Sequence, residues 1–485
     1  MTEFFQHEGN MVPSTITSLL EMRAEQQAGN IAYTFVSDTA GEQQVTYAEL
    51  DKRARAVGWL LEDLHVNGKP VLLLYPPGID YLTAFFGCLY AGAIAVPAPP
   101  PDPLRPEASL PRLAAVAGDA APCLALTTAA VGAVLSSLSK SSPDLSRLPI
   151  ITIGDVSAEW CPAWEPEPVD AESVALVQYA SPAAPRGVVI THRNLISSSE
   201  LIFRLFGHSQ ESRAMLWLPP YHGMGLIGGI VQPLYGGFPV TLIAPDDFLQ
   251  QPLRWLQEIS RTRATTSGAP NSAYELCVAT TTAEERRALD LSNWQIAFNG
   301  SERIRVETME HFAQAFEPAG FRREAFHPHY GFTEDTLMVT GGIPWSRRAA
   351  RSFDAAALQY GTAIPGEADG TSCRLVSCGY ASVDHCRVVI VDPVTRQECP
   401  EGRVGEIWMS GSSVARSYWR RPEETREIFE ARVAGVADGP FARSGDFGFV
   451  LDHELFVTGR INEPVTADVR SHHHPQDTYG LPSTS

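Results

Sequence analysis

The sequence predicts an α/β protein: two Rossmann-like parallel-sheet subdomains with flanking helices, followed by a small β-barrel subdomain. Three observations carry this expectation. Short apolar runs of buried-strand type alternate with amphipathic helical stretches through residues 1–340. Gly and Pro punctuate the junctions between them. From residue 341 the texture changes to short strands of antiparallel type. The expected organisation is therefore 1–340 as paired α/β subdomains, 341–460 as an insertion loop plus a small β subdomain, and 461–485 as a polar tail.

The elements follow in order. Thr46 and Glu49 form a capping box, and Leu50, Ala54, Val57 and Leu61 continue at helical spacing. Residues 70–75 read as a buried strand. Pro76-Pro77-Gly78 turns into an amphipathic helix over 81–90, which stops at Gly92. Strands are expected at 94–96, 123–126, 150–153 and 174–179, with a Pro-rich bridge at 97–110. A helix from about Asn194 to Leu205 leads to a strand at 214–218, a helix from Met224 and a strand at 239–243. Helices are expected over 250–262, 271–291 and 305–318. Beyond a loop-rich stretch, 341–370, strands are expected at 373–377, 387–391, 406–409 and 454–457.

Composition excludes several classes of function. A net charge of −19 and the lack of any Lys/Arg run argue against nucleic-acid binding. The acidic N-terminus lacks the apolar region of a signal peptide. No apolar run reaches the ~18 residues of a membrane span. The eight Cys show no paired spacing, so no zinc site is expected, nor haem or flavin, and a reducing cytoplasm fits. His472, His473 and His474 could take a metal, but the composition around them reads as a solvated tail.

The most informative stretch is 177–195, from Val177 to Leu195. Tyr179 and Ser181 on one side, and Pro185 to Val188 with Thr191 to Asn194 on the other, frame the centre Pro182-Ala183-Ala184. A loop that grips a triphosphate needs backbone N–H groups, glycine freedom and hydroxyl donors. Pro182 and Pro185 have no N–H, and alanine brings no side-chain donor. Between Tyr179 and Arg186 the hydroxyls are those of Tyr179 and Ser181. Hydrogen bonds to a charged group contribute about 1.5–3 kcal/mol each, so two or three lost donors amount to ~3–9 kcal/mol. The stretch reads either as a plain Pro/Ala turn between strand and helix or as a phosphate loop stripped of its donors.

Other blocks join it: Leu216-Trp217-Leu218-Pro219-Pro220-Tyr221-His222-Gly223-Met224-Gly225-Leu226, Gly268-Ala269-Pro270-Asn271, Ala297-Phe298-Asn299-Gly300-Ser301-Glu302, Tyr330-Gly331-Phe332-Thr333-Glu334, Arg443-Ser444-Gly445-Asp446 and Thr458-Gly459-Arg460. Together, over about 10–460, they resemble the fatty acyl-AMP ligases of the adenylate-forming superfamily. The resemblance implies ATP and Mg²⁺ as cofactors, a fatty acid as substrate and an acyl carrier protein, or a carrier domain of a synthase, as partner. It implies ribose binding by Asp446, Mg²⁺ coordination by Glu334, and an adenine frame of Gly300, Ser301 and Tyr330. Thr333 joins this nucleotide set, Arg460 would reach ribose or phosphate, and His222 would sit near the acyl carboxylate.

Three departures bear on activity. The phosphate loop is two residues shorter than the pattern and lacks its donors. Gly223 stands where the family has Asp after the His. The family's lysine-bearing C-terminal lid finds no counterpart in 461–485, and no Lys follows Lys140. Arg186 is the fixed cation in the loop. The expectation is a degenerate member, impaired in ATP-dependent adenylation and retained for acyl or carrier-protein binding in lipid or natural-product assembly. The alternatives are an active ligase completed in trans and an ATP-independent acyltransferase with His222 as base.

Overall fold

The computed structural model describes residues 4–7, 10–37, 41–138, 142–153, 164–179, 185–344, 350–383 and 386–460. The chain forms two compact units. The first holds Met1–Ser199, Leu216–Pro245 and Ala415–Arg420; the second holds Glu200–Met215, Asp246–Val414 and Arg421–Ser485.

In the first unit, strands run in the order Ser417–Tyr418, Gly187–Thr191, Val174–Tyr179, Ile94–Pro97, Pro70–Leu74, Leu124–Thr127, Ile150–Thr152. The five from Val174–Tyr179 onward are parallel. Val71 to Leu74 are fully buried and continuously apolar, as a strand covered on both faces requires. The capping box forms as expected at the start of helix Tyr47–Glu62, with Thr46 and Glu49 each bonding the other's backbone N–H. That helix packs on helix Ile79–Tyr90 through Gly87, where an added Cβ would lie 2.5 Å from Val57. The same unit pairs Val240–Ile243 in parallel with Ile31–Ser37, which forms a hairpin with Gly41–Thr46. The hairpin is an addition to the expected elements; Gly41 to Gln44 are exposed and polar, which hides the alternation.

In the second unit, Ala214–Leu216, Thr266–Ala269, Ile296–Asn299 and Phe326–Pro328 pair in parallel. Their core is aromatic: Trp255, Tyr274, Trp294, Phe312 and Phe326 are buried and meet mostly edge to face. This unit also contains seven antiparallel strands in the order Ala350–Asp354, Ser372–Tyr380, Glu454–Arg460, Ala442–Leu451, Gly405–Gly411, Cys386–Val391, Ser382–Val383. Among the described residues its two edge strands, Ala350–Asp354 and Ser382–Val383, do not pair with each other.

Several boundaries differ from expectation for local reasons. The stretch 271–291 splits into Asn271–Thr280 and Ala283–Arg287, because Thr282 starts a second capping box with Glu285. The stretch 250–262 divides at Pro252 into Pro245–Gln250 and Leu253–Thr262. The helix from Met224 is a π-helix, Met224–Val231. Inside 341–370 lie the strand Ala350–Asp354 and the helix Ala355–Gln359, capped by Asp354. Helix Pro106–Ala120 begins within the Pro-rich bridge, with Pro106 at its first turn. Residues 182–184 and the tail from 461 lie outside the described residues. Among the described residues no helix is long and apolar enough to cross a membrane.

Candidate functional site

Each unit gathers its own group of the singled-out residues. In the second unit the centre is Asp446, on strand Ala442–Leu451 and directly across from Arg460 in the hairpin with Glu454–Arg460. Arg460 Nε donates to Asp446 Oδ1 at 3.1 Å, and the Tyr330 hydroxyl donates to Oδ2 at 2.7 Å. Two donors thus fix the orientation of the carboxylate. Burial, and then the Asp446 charge, push the Tyr330 phenol well above its ordinary value, so it stays protonated and keeps donating. Below Asp446, Ser444 Oγ donates to the Ile407 carbonyl at 2.7 Å and accepts from Asp446 N–H at 3.0 Å. Arg443 grips the buried Glu406 with both Nε and Nη2. The strand that carries the acid is therefore tied at Arg443, Ser444 and Asp446.

Tyr330 opens a tight turn. The residues Thr333–Asp335 form a 3₁₀ turn that carries Thr333 and the half-buried Glu334. Gly331 has to be glycine, since an added Cβ would fall 1.9 Å from the Leu337 carbonyl oxygen. Gly300 and Ser301 follow strand Ile296–Asn299. A Cβ on Gly300 would lie 2.4 Å from His329 Nε2, so the imidazole closes over the backbone there. Ser301 takes φ 66°, and Glu302 accepts from the Ser272 backbone N–H at the start of helix Asn271–Thr280. Burial pushes Glu302 up to about 7 against those hydrogen bonds. The fold thus brings Asp446, Tyr330 and Arg460 into contact and holds Thr333, Glu334, Gly300 and Ser301 on the flanking turns.

Sequence reasoning passed over three residues of this group: Asp335, Thr336 and Ser413. Asp335 is fully buried beside Glu334, and burial pushes its carboxyl well above the usual range. No local pattern marks it, because its partner Ser413 is 78 residues away.

In the first unit the strands Val174–Tyr179 and Gly187–Thr191 pair in antiparallel register with Tyr179 opposite Gly187. The pairing runs from Tyr179–Gly187 to Val174–Thr191, with a register shift between Ile190 and Thr191. The Tyr179 hydroxyl, one of the two noted in sequence, donates to Asp119 at 2.8 Å. The guanidinium of exposed Arg186 sits over the Tyr418 ring at 5.1 Å from its centre. His222 is buried, edge-on to Tyr221, in a segment held by its carbonyls. Tyr81 donates to the Pro220 carbonyl at 2.7 Å, and Gln178 to that of Tyr221 at 2.9 Å. Gly225 lets the π-helix approach this segment, since its Cβ would fall 1.9 Å from the Pro219 oxygen.

The donor set bears on Mg²⁺. Among the described residues no cluster of three or more His, Cys, Asp or Glu forms a metal cage. Glu334 offers a single carboxylate. That suits an ion that keeps most of its waters and arrives with phosphates, which is the habit of Mg²⁺.

Parallel sheets flanked by helices, together with an antiparallel sheet, make this a mixed α/β fold. Residues 20–419 match the family described as AMP-binding enzyme. The chain is 41% identical to the medium-chain-fatty-acid–[acyl-carrier-protein] ligase JamA of Moorena producens, over 96% of this chain and 79% of that protein. It is 35% identical to a long-chain-fatty-acid–AMP ligase of Mycobacterium marinum, over 96% and 81%. A fatty acyl-adenylate ligase from Legionella pneumophila, solved in complex with acyl adenylate and pyrophosphate, superposes with a TM-score of 0.85 at 38% identity, over 93% of this chain and 78% of that one. The chain belongs to the adenylate-forming fatty acyl-AMP ligase family.

Proposed function

We propose that this chain handles a fatty acyl group at the adenylate stage with a retained adenosine grip and a weakened triphosphate grip. Asp446 takes the ribose hydroxyls, steadied by Tyr330 and Arg460. Gly300, Ser301 and Tyr330 frame the adenine, Thr333 faces the phosphate side, and His222 lies toward the acyl carboxylate. Mg²⁺, when bound with a nucleotide at Glu334, neutralises phosphate charge. The observation that carries the reading is the Tyr330–Asp446–Arg460 contact, which fixes an acceptor suited to paired hydroxyls. The weakened triphosphate grip rests on Pro182-Ala183-Ala184 and on Tyr179, whose proton goes to Asp119. An acyl carrier protein is the partner this reading implies, in a cytoplasmic setting.

The second reading is an active fatty acid–AMP ligase, favoured by relatives that carry that name. ATP–pyrophosphate exchange across fatty acids of graded length separates the two. The first reading expects exchange near background, with binding of a non-hydrolysable acyl-adenylate analogue retained. Turnover in the ordinary enzyme range, about 1–10³ s⁻¹, would establish the second.

A further inference from the structure

The turn after Glu334 is strained. Thr336 has φ 65° and ψ −60°, and the Leu337 N–H donates back to the Asp335 carbonyl at 2.6 Å. This is a γ-turn of the φ-positive kind, rare at any residue and rarest at a β-branched one. Such a conformation costs about 1–3 kcal/mol and persists only where neighbours over-determine it.

The neighbours are present. The Thr336 hydroxyl donates to the Ser413 carbonyl at 2.6 Å, and the Ser413 hydroxyl donates to Asp335 Oδ1 at 2.9 Å. Two successive residues of the turn are thus held, one by each end of the same serine. All three are buried, at 0% exposure for Asp335 and Thr336 and 3% for Ser413. The far end of the segment is anchored independently. Val339 N–H donates to the Tyr330 carbonyl at 2.9 Å, and Thr340 Oγ1 donates to the Cys378 carbonyl at 2.8 Å.

We propose that Asp335, Thr336 and Ser413 form a latch that holds the Tyr330–Glu334 turn in a strained, ligand-ready geometry. They are positioning residues: they act through Tyr330 and Glu334 rather than on a ligand. The proposal rests on the reading that this turn faces an adenylate. The strain points the same way, because a turn needed only for folding gains nothing from a β-branched residue at positive φ. Thr336→Gly relieves the strain, yet it also removes the hydroxyl that locks the turn.

The test pairs Thr336→Val, which keeps shape and strain but deletes the hydroxyl, with Thr336→Ser, which keeps the hydroxyl. Two quantities are read in the full chain: affinity for the non-hydrolysable acyl-adenylate analogue, and amide hydrogen exchange over residues 330–340. Thr336→Val and Ser413→Ala should each weaken the analogue at least tenfold and speed exchange in this segment at least tenfold. Thr336→Ser should match wild type in both. Wild-type affinity and unchanged exchange in Thr336→Val overturn the latch, as does loss in Thr336→Ser equal to that in Thr336→Val. If wild type does not bind the analogue but exchange still rises in Thr336→Val and not in Thr336→Ser, the latch stands and the adenylate reading falls.

Discussion

The corner around Asp446 and the hairpin at 179–187 both descend from motifs of one family, but they have fared differently. At Asp446 every layer is present: the acid, its two donors, the buried Glu406–Arg443 pair behind it and the strained turn beside it. At the hairpin the two strands still pair, with one register shift between Ile190 and Thr191, while the connecting sequence carries Pro and Ala where the family pattern has donors. Strand pairing asks only for backbone groups and apolar packing. Phosphate binding asks for specific N–H and hydroxyl donors. Pairing therefore places fewer demands on residue identity than phosphate binding does.

The largest expected effect probes the support behind Asp446. Arg443→Ala leaves the Glu406 carboxylate buried without its two-pronged partner. Breaking a buried pair from one side costs about 3–5 kcal/mol, so the chemical-denaturation midpoint should fall sharply. A loss below ~1 kcal/mol would show that the corner is not built on this pair.

Acid should loosen the second unit. Burial holds His208 and His329 down at about 3 and about 4, and in the first unit His192 at about 4. His327 is also lowered, chiefly by burial. Folded values below the ordinary one mean that the unfolded chain binds these protons first. Their stabilising share is therefore full above about pH 6.5 and is lost as pH falls toward 4. Thermal melts across this window should show a steady decline, with His329→Gln flattening it.

A smaller effect tests the loop directly. The triple change Pro182→Gly, Ala183→Ser, Ala184→Thr returns one N–H and two hydroxyls. ATP affinity should rise about tenfold or more, while AMP affinity stays as it was. The smallest effect belongs to Arg186→Lys, which trades a guanidinium stacked on Tyr418 for a point charge. An exposed stack contributes about 0.5–1 kcal/mol, so ATP affinity should drop two- to fivefold.

Much of this was legible in the chain itself. Strand Val174–Tyr179 falls where its apolar run placed it, and the Thr46 capping box forms as read. Tyr330, Asp446 and Arg460 were each marked by their own motif, and the fold brings the three together. What escaped notice depends on distant partners or on backbone angles. Asp335 looks like any acid after a glutamate until Ser413 arrives from another strand's end. Thr336 gives no sign of its positive φ, since Thr is a poor choice for it. The π-helix at Met224 reads as an ordinary helix, because its apolar glycine-rich run has no polar face to set a period.

The central claim is that the adenosine side is kept while the triphosphate side is weakened. Calorimetry with AMP and with ATP, each in the presence of Mg²⁺, addresses it with one pair of titrations. The account predicts measurable binding of AMP and an ATP affinity within about threefold of it, since the extra phosphates find few donors. ATP binding more than ~30-fold tighter than AMP, or no binding of either nucleotide, would contradict it.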